Sequence, residues 1–218
     1  MLIACWSPKG GTGTTVVTAA LACRLATGHR GALAVDLAGD LPAAFGLAEV
    51  DGAGVADWLA AAPDVAADGL ARLERPVTST LGLVGRGRGP LPAGPADALA
   101  GLLAADPRPV VADCGVVRPD DPAGAAAVLA AGATRSLVVL RACFLGLRRA
   151  LDATVRASGV VLVVDEGRAF DVDDVEAALQ VPVVARVRVT EAVARAVDAG
   201  LLAHRLPRTL DRDLRRAA

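Results

Sequence analysis

The sequence predicts an α/β protein built on a doubly wound, mostly parallel β-sheet flanked by helices. Three observations predict it. Short, nearly continuous apolar runs alternate with Ala/Leu-rich stretches of helical spacing, and strands without polar alternation are strands buried on both faces. The first of these runs leads straight into a glycine-rich turn and then a helical stretch, the layout of a ligand-binding βα turn. Finally, 218 residues, 54% hydrophobic and 22% charged, fill one sizeable core but not two, so residues 1–218 are expected to form a single domain.

The expected elements follow in chain order. Leu2 to Trp6 is an apolar strand, and Thr14 to Ala26 carries the Ala/Leu composition of a helix. Ala32 to Leu37 and Leu81 to Val84 read as the next strands. The stretch Gly85-Arg86-Gly87-Arg88-Gly89-Pro90-Leu91-Pro92 is the most loop-like part of the chain, because Gly and Pro punctuate both helix and strand. A helix at Pro95 to Ala105, a strand at Val110 to Asp113 and a helix at Ala123 to Ala131 come next. Strands at Ser136 to Leu140, Val160 to Val164 and Val181 to Val187 then alternate with helices at Leu145 to Ala157, Val172 to Leu179 and Glu191 to Ala199. Near the C-terminus, Leu210 and Leu214 share one face of a short Arg-rich segment. Two leucines bury too little area to hold a membrane, so a docking helix is expected there, with no stable membrane insertion.

Composition excludes several classes. No apolar run reaches the roughly 18 residues a membrane span requires, and the apolar content is far above that of disordered chains. The formal charge of −1 gives no global field for nucleic acid, although residues Val181 to Ala218 hold 8 Arg against 4 acids. Cys5, Cys23, Cys114 and Cys143 are widely spaced and have only His29 and His204 for company. They fit neither a zinc site nor a disulfide framework, and read as small buried hydrophobes in a reducing cytoplasm. The N-terminal residues have no basic region or cleavage site of a secretory signal, so a cytoplasmic location is expected.

One compositional exception bears on function. Of 23 basic residues, 22 are Arg and only Lys9 is Lys, in a chain with 48 Ala and no Asn. Such usage reflects a GC-rich coding sequence in which basic positions drift to Arg. A lysine that survives that drift suggests a need for a compact ammonium on a flexible stem.

Lys9 lies in the turn after the first strand, Ser7-Pro8-Lys9-Gly10-Gly11-Thr12-Gly13-Thr14-Thr15. Three glycines in four positions let backbone N–H groups face a phosphate without Cβ obstruction, and the helix that follows adds its positive N-terminal end. Thr15 is placed to offer a hydroxyl to Mg²⁺.

Lys9 to Thr15 resembles the deviant Walker A motif, K-G-G-x-G-K-[ST], of the ParA/MinD family of P-loop ATPases. The likeness continues through Gly31 to Leu47, similar to the second strand and its terminal Asp36, through Val110 to Asp113, similar to the Walker B strand, and through Val181 to Gly200, similar to the late strand and helix ending in Ala-x-x-x-Gly. The resemblance implies a P-loop NTPase fold binding ATP and Mg²⁺, with Lys9, Gly10, Gly11, Thr12, Gly13, Thr14, Thr15 and Asp36 around the nucleotide and Thr15 and Asp113 at the metal. It also implies a nucleotide-dependent homodimer in which Lys9 reaches the partner's phosphates.

Three departures stand beside the matches. Thr14 occupies the position of the family's second lysine, and a hydroxyl cannot neutralise charge that builds up during phosphoryl transfer. At the first switch the chain has Asp36-Leu37-Ala38 where many relatives have Asp-x-Asp, which leaves Asp40 as the candidate for orienting water. Asp113 is followed by Cys114-Gly115-Val116 in place of a short residue, Pro and a small residue. Weak or absent hydrolysis is therefore expected. Where relatives place an Asn to read adenine, this chain has Asp165, which accepts hydrogen bonds only and could meet an exocyclic amine.

Three functions remain open. The first is a switch or scaffold like the TadZ/CpaE and septum-determining MinD-like proteins, positioning a pilus, secretion apparatus or septum through a protein partner. The second is a DNA-partition ATPase, for which Arg186, Arg188, Arg195, Arg205, Arg208, Arg212, Arg215 and Arg216 are the candidates for phosphate contact. The third is an interaction module that keeps the fold but not the ligand.

Overall fold

The structure is a computed structural model and describes residues 1–29, 31–47, 52–62, 68–165, 167 and 170–218. Eight strands form one sheet: β1 (Leu2–Ser7), β2 (Ala32–Asp36), β3 (Arg75–Pro76), β4 (Leu81–Val84), β5 (Val110–Val116), β6 (Arg135–Arg141), β7 (Gly159–Val164) and β8 (Val183–Arg188). Their order across the sheet is β3-β4-β2-β5-β1-β6-β7-β8. Every pairing is parallel except that of the short edge strand β3 with β4.

The helices are α1 (Thr14–Gly28), α2 (Leu41–Ala44), α3 (Val55–Ala61), α4 (Ala96–Ala105), α5 (Ala125–Gly132), α6 (Phe144–Leu151), α7 (Val172–Leu179), α8 (Glu191–Asp198) and α9 (Arg208–Asp213), with a 3-10 turn at Ala71–Leu73. They cover both faces of the sheet. Side chains alternate along a strand, so Ile3 and Cys5 of β1 enter one core layer with Val17 and Leu21 of α1 and Leu210 of α9. Leu2, Ala4 and Trp6 point the other way and pack with Trp58 of α3, Leu99 of α4 and Leu129 of α5. Trp6 is 1% exposed, and its indole N–H donates to the Ser136 hydroxyl at 3.0 Å, so the largest core side chain is also polar-satisfied.

The doubly wound, mostly parallel sheet is the architecture the apolar runs predict, and the helix Val172–Leu179 has the expected bounds. Three differences have local causes. The expected helix Leu145 to Ala157 stops at Leu151, because β-branched Thr154 and Val155 disfavour helix and Val155 is buried in the core layer against which Ala150 also packs. The strand expected from Val181 begins at Val183, since Pro182 has no N–H to pair and contributes only its carbonyl, accepting from Val160 N at 2.8 Å. Helices α2 and α3 are too short to show a period. The C-terminal segment docks as expected: Leu210 and Leu214 are 1% and 0% exposed, and Arg24 of α1 pairs with Asp211 at 2.6 Å. Among the described residues no helix is long and apolar enough to cross a membrane.

Candidate functional site

The parallel strands end together beside the turn between β1 and α1. Registers Cys5↔Asp113 and Asp36↔Asp113 set both aspartates at this carboxyl edge, one on each of two neighbouring strands. The turn is held from within: the Ser7 hydroxyl donates to the Lys9 carbonyl at 2.9 Å, and Val17 N donates to Gly13 O at 3.0 Å to open α1. Gly11 and Gly13 have φ of +76° and +89°, which side chains resist, and a Cβ on Gly10, Gly11 or Gly13 would project into open space. The first turn of α1 contains no acidic residue, so its positive end is left for an external anion.

The threonines divide between structure and cleft. Thr12 and Thr14 are 1% and 7% exposed, with their hydroxyls 3.0 Å apart, and Thr18 donates to the Thr14 carbonyl at 2.9 Å. Thr14 therefore carries no charge to the turn and has its hydroxyl committed to a neighbour. The Lys9 ammonium folds back on the loop and donates to the Gly10 carbonyl at 3.2 Å, an exposed contact.

A cleft of about 630 Å³ opens over this turn. Its lining includes Gly10, Gly13 and Thr15 of the turn together with Asp40, Gly115 and Asp121 from other segments. Its volume falls within the range that small-molecule ligands fill. Asp113 is fully buried beside it: one carboxylate oxygen accepts the Gly115 N–H at 3.0 Å, and Oδ2 has no partner among the described residues. Burial pushes its pKa up to about 6, held from rising further by the Thr15 side chain and the Gly115 amide, while the nearby charges of Asp36 and Asp40 push it upward.

Asp36 has a different occupation. Its carboxylate accepts N–H groups from Ala38 at 2.9 Å, Gly39 at 2.7 Å and Leu41 at 3.1 Å, so it shapes the loop that carries Asp40. Burial raises its pKa, and these amides pull it back down. Arg86, from the Gly/Pro-rich loop, braces the same segment by donating to the Leu37 carbonyl at 3.1 Å. Of the site residues expected from sequence, Gly10 to Thr15 and Asp40 line the cleft and Asp113 lies directly behind it. Asp165 lies apart at the end of β7, paired with Arg141 of β6 at 3.2 Å; the adjoining Glu166 is outside the described residues.

Asp121 and Leu91 also line the cleft without having been expected from sequence. The acidic pair Asp120-Asp121 just past β5 is the signal that marks the first; the Gly/Pro-rich stretch gives no sign of which residue it turns inward.

Among the described residues no group of three or more His, Cys, Asp or Glu side chains could hold a metal. A Mg²⁺ at Asp113 and Thr15 would have to take its remaining oxygens from a phosphate and water, as this hard and strongly hydrated cation commonly does. The lone buried carboxylate oxygen and the open glycine cradle fit that arrangement. The cysteines do not: Cys5, Cys23 and Cys114 are buried, all four are free, and burial raises the pKa of Cys5 and Cys23 to about 12.

The sequence matches no protein-family model and no curated protein. The fold is nonetheless shared with solved structures. A ParA family ATPase from Chlorobium tepidum superposes with a TM-score of 0.77 at 16% identity, covering 98% of this chain and 96% of that one. The septum site-determining protein MinD from Pyrococcus horikoshii, complexed with Mg-ADP, gives 0.76 at 18% identity over 97% and 91% of the two chains. MinD in a MinC:MinD cell division complex from Aquifex aeolicus gives 0.69 at 16% identity over 91% and 86%.

Proposed function

We propose that this chain, which has the fold of the ParA/MinD ATPases, is a nucleotide-gated switch that binds ATP with Mg²⁺, dimerises on it and hydrolyses it slowly or not at all. The observation that carries this reading is the buried Asp113 carboxylate beside the open glycine cradle: the Thr15 side chain stands near it, but Oδ2 accepts no hydrogen bond of good geometry among the described residues. A buried acceptor without a donor is costly unless a ligand meets it. Mg²⁺ there would neutralise phosphate charge and hold the terminal phosphates against the loop.

The chain's own groups then have distinct tasks. Amides of Gly10 to Thr15 and the end of α1 bind and orient the phosphates, and the Thr15 hydroxyl completes the metal's protein ligands. Lys9, whose only bond among the described residues is an exposed one to its own loop, swings out to a second copy's phosphates. Asp40 lines the same cleft, where it orients water. Thr14 contributes no cation to the transition state, so little electrostatic stabilisation is available to speed the chemistry. Asp165 accepts from the exocyclic amine of the base after leaving Arg141.

The role that fits a slow switch is a cytoplasmic scaffold that recruits a protein partner to a larger assembly, such as a pilus, a secretion apparatus or the division septum. The Mg-ADP of the Pyrococcus protein and the MinC partner of the Aquifex protein support a reading of this type. Titration calorimetry with ATP, with and without Mg²⁺, alongside light scattering and phosphate release, tests it. Mg²⁺-dependent binding, a doubled mass and slow release are expected. Absence of heat overturns the ligand, and rapid release abolished by Asp40→Ala overturns slow hydrolysis.

A further inference from the structure

A second cavity, remote from the glycine turn, opens between α8 and α9. It is a groove of about 700 Å³ with a largely apolar lining that includes Ala196, Leu201 and Leu206. Leu201 is 41% exposed there, although Leu202 beside it is fully buried in the core. Of α8, only Val193 and Ala196 are buried, so much of this helix has no partner.

Three guanidiniums line the groove, and none of its lining residues is acidic. Among the described residues Arg195 is answered only by Glu191 one turn away, at 3.2 Å with both side chains more than three-quarters exposed, a pair that contributes little. Arg205 and Arg208 form no ion pair among the described residues. An apolar lining beside unpaired, planar, weakly hydrated cations is suited to carboxylates attached to apolar groups.

We propose that this groove docks an acidic peptide segment of another protein, seating an apolar side chain on Leu201 and Leu206 while its carboxylates pair with Arg205 and Arg208. Charge complementarity selects this occupant. Nucleic acid fits less well, because phosphates gain nothing from the apolar lining. No aromatic residue lines the groove to stack on a base.

The test is selection of a displayed random-peptide library on the full chain, followed by anisotropy measurements on the synthesised winners and on a short DNA duplex. Enriched peptides should combine several Asp or Glu with a large apolar residue. Their affinity should fall about tenfold or more in Arg205→Glu/Arg208→Glu and in Leu201→Ser, while Mg-ATP binding and the circular dichroism spectrum stay unchanged. Enrichment of neutral or basic peptides, no enrichment, or affinity indifferent to both variants overturns the proposal. Binding of DNA in place of peptide, lost in the Arg variant, assigns the groove to nucleic acid and overturns it as well.

Discussion

Gly46 and Gly200 meet backbone to backbone. Both lie in the left-handed region, with φ of +74° and +63°, and a Cβ on Gly200 would stand 2.6 Å from the Gly46 Cα. A Cβ on Gly46 would in turn collide with the Gly200 carbonyl. The contact joins the segment that follows Asp40 and α2 to the end of α8, bringing two distant stretches of sequence closer than side chains allow.

Gly46→Ala and Gly200→Ala should each destabilise the protein by at least about 2 kcal/mol, from left-handed strain plus displaced backbone. Urea unfolding measures this as a lowered midpoint at constant slope. A change under about half a kcal/mol would mean that the contact loosens without cost.

Asp113→Asn should trade binding for stability. The raised pKa of about 6 against an ordinary 3.8 means that ionising Asp113 costs the folded state about 3 kcal/mol. Because the folded pKa lies above the unfolded one, that cost is absent below about pH 4 and fully present above about pH 6. The Asn variant should therefore gain stability over the parent as pH rises through this window, while losing the Mg²⁺ dependence of ATP binding. Denaturant midpoints at a series of pH values decide the first point; equal pH profiles for the two proteins would contradict it.

Thr14→Lys should restore a cation where the hydroxyl of Thr14 now faces Thr12. Phosphate release should rise about a hundredfold or more, the scale of one lost electrostatic contact at a reacting oxygen. An unchanged rate would place the deficit elsewhere, at the loop carrying Asp40.

Lys9→Ala should abolish the ATP-dependent increase in mass seen by light scattering while leaving monomer binding within a few-fold. Lys9→Arg should not rescue it, since a planar guanidinium has a different reach and geometry from an ammonium. A dimer that persists in either variant would remove Lys9 from the interface.

The parts of the molecule that were legible in the sequence share one property: their physics is local. The β1 strand is a continuous apolar run, and the glycine turn declares itself because only glycine serves there. Asp113 shows as the polar end of a buried strand. Less legible were features that depend on distant partners. Asp36 looks like a ligand residue in sequence, yet it spends both oxygens on the amides of Ala38, Gly39 and Leu41. Arg141 gives no local hint that it will hold Asp165, because the pair forms only when β6 and β7 lie side by side. The groove between α8 and α9 is likewise tertiary. Its arginines are evident as a charge excess, but which of them lack an acid is decided by packing.

Lys9 carries the single ε-amine among these 218 residues, so a reagent that acylates lysine side chains has one place on them to act. The extent of labelling then reduces to a readout of one loop. A nucleotide or a second subunit that covers the cleft appears as a missing mass increment on the peptide containing Lys9. The scarcity of lysine thus turns the site into its own reporter, with no residue replaced.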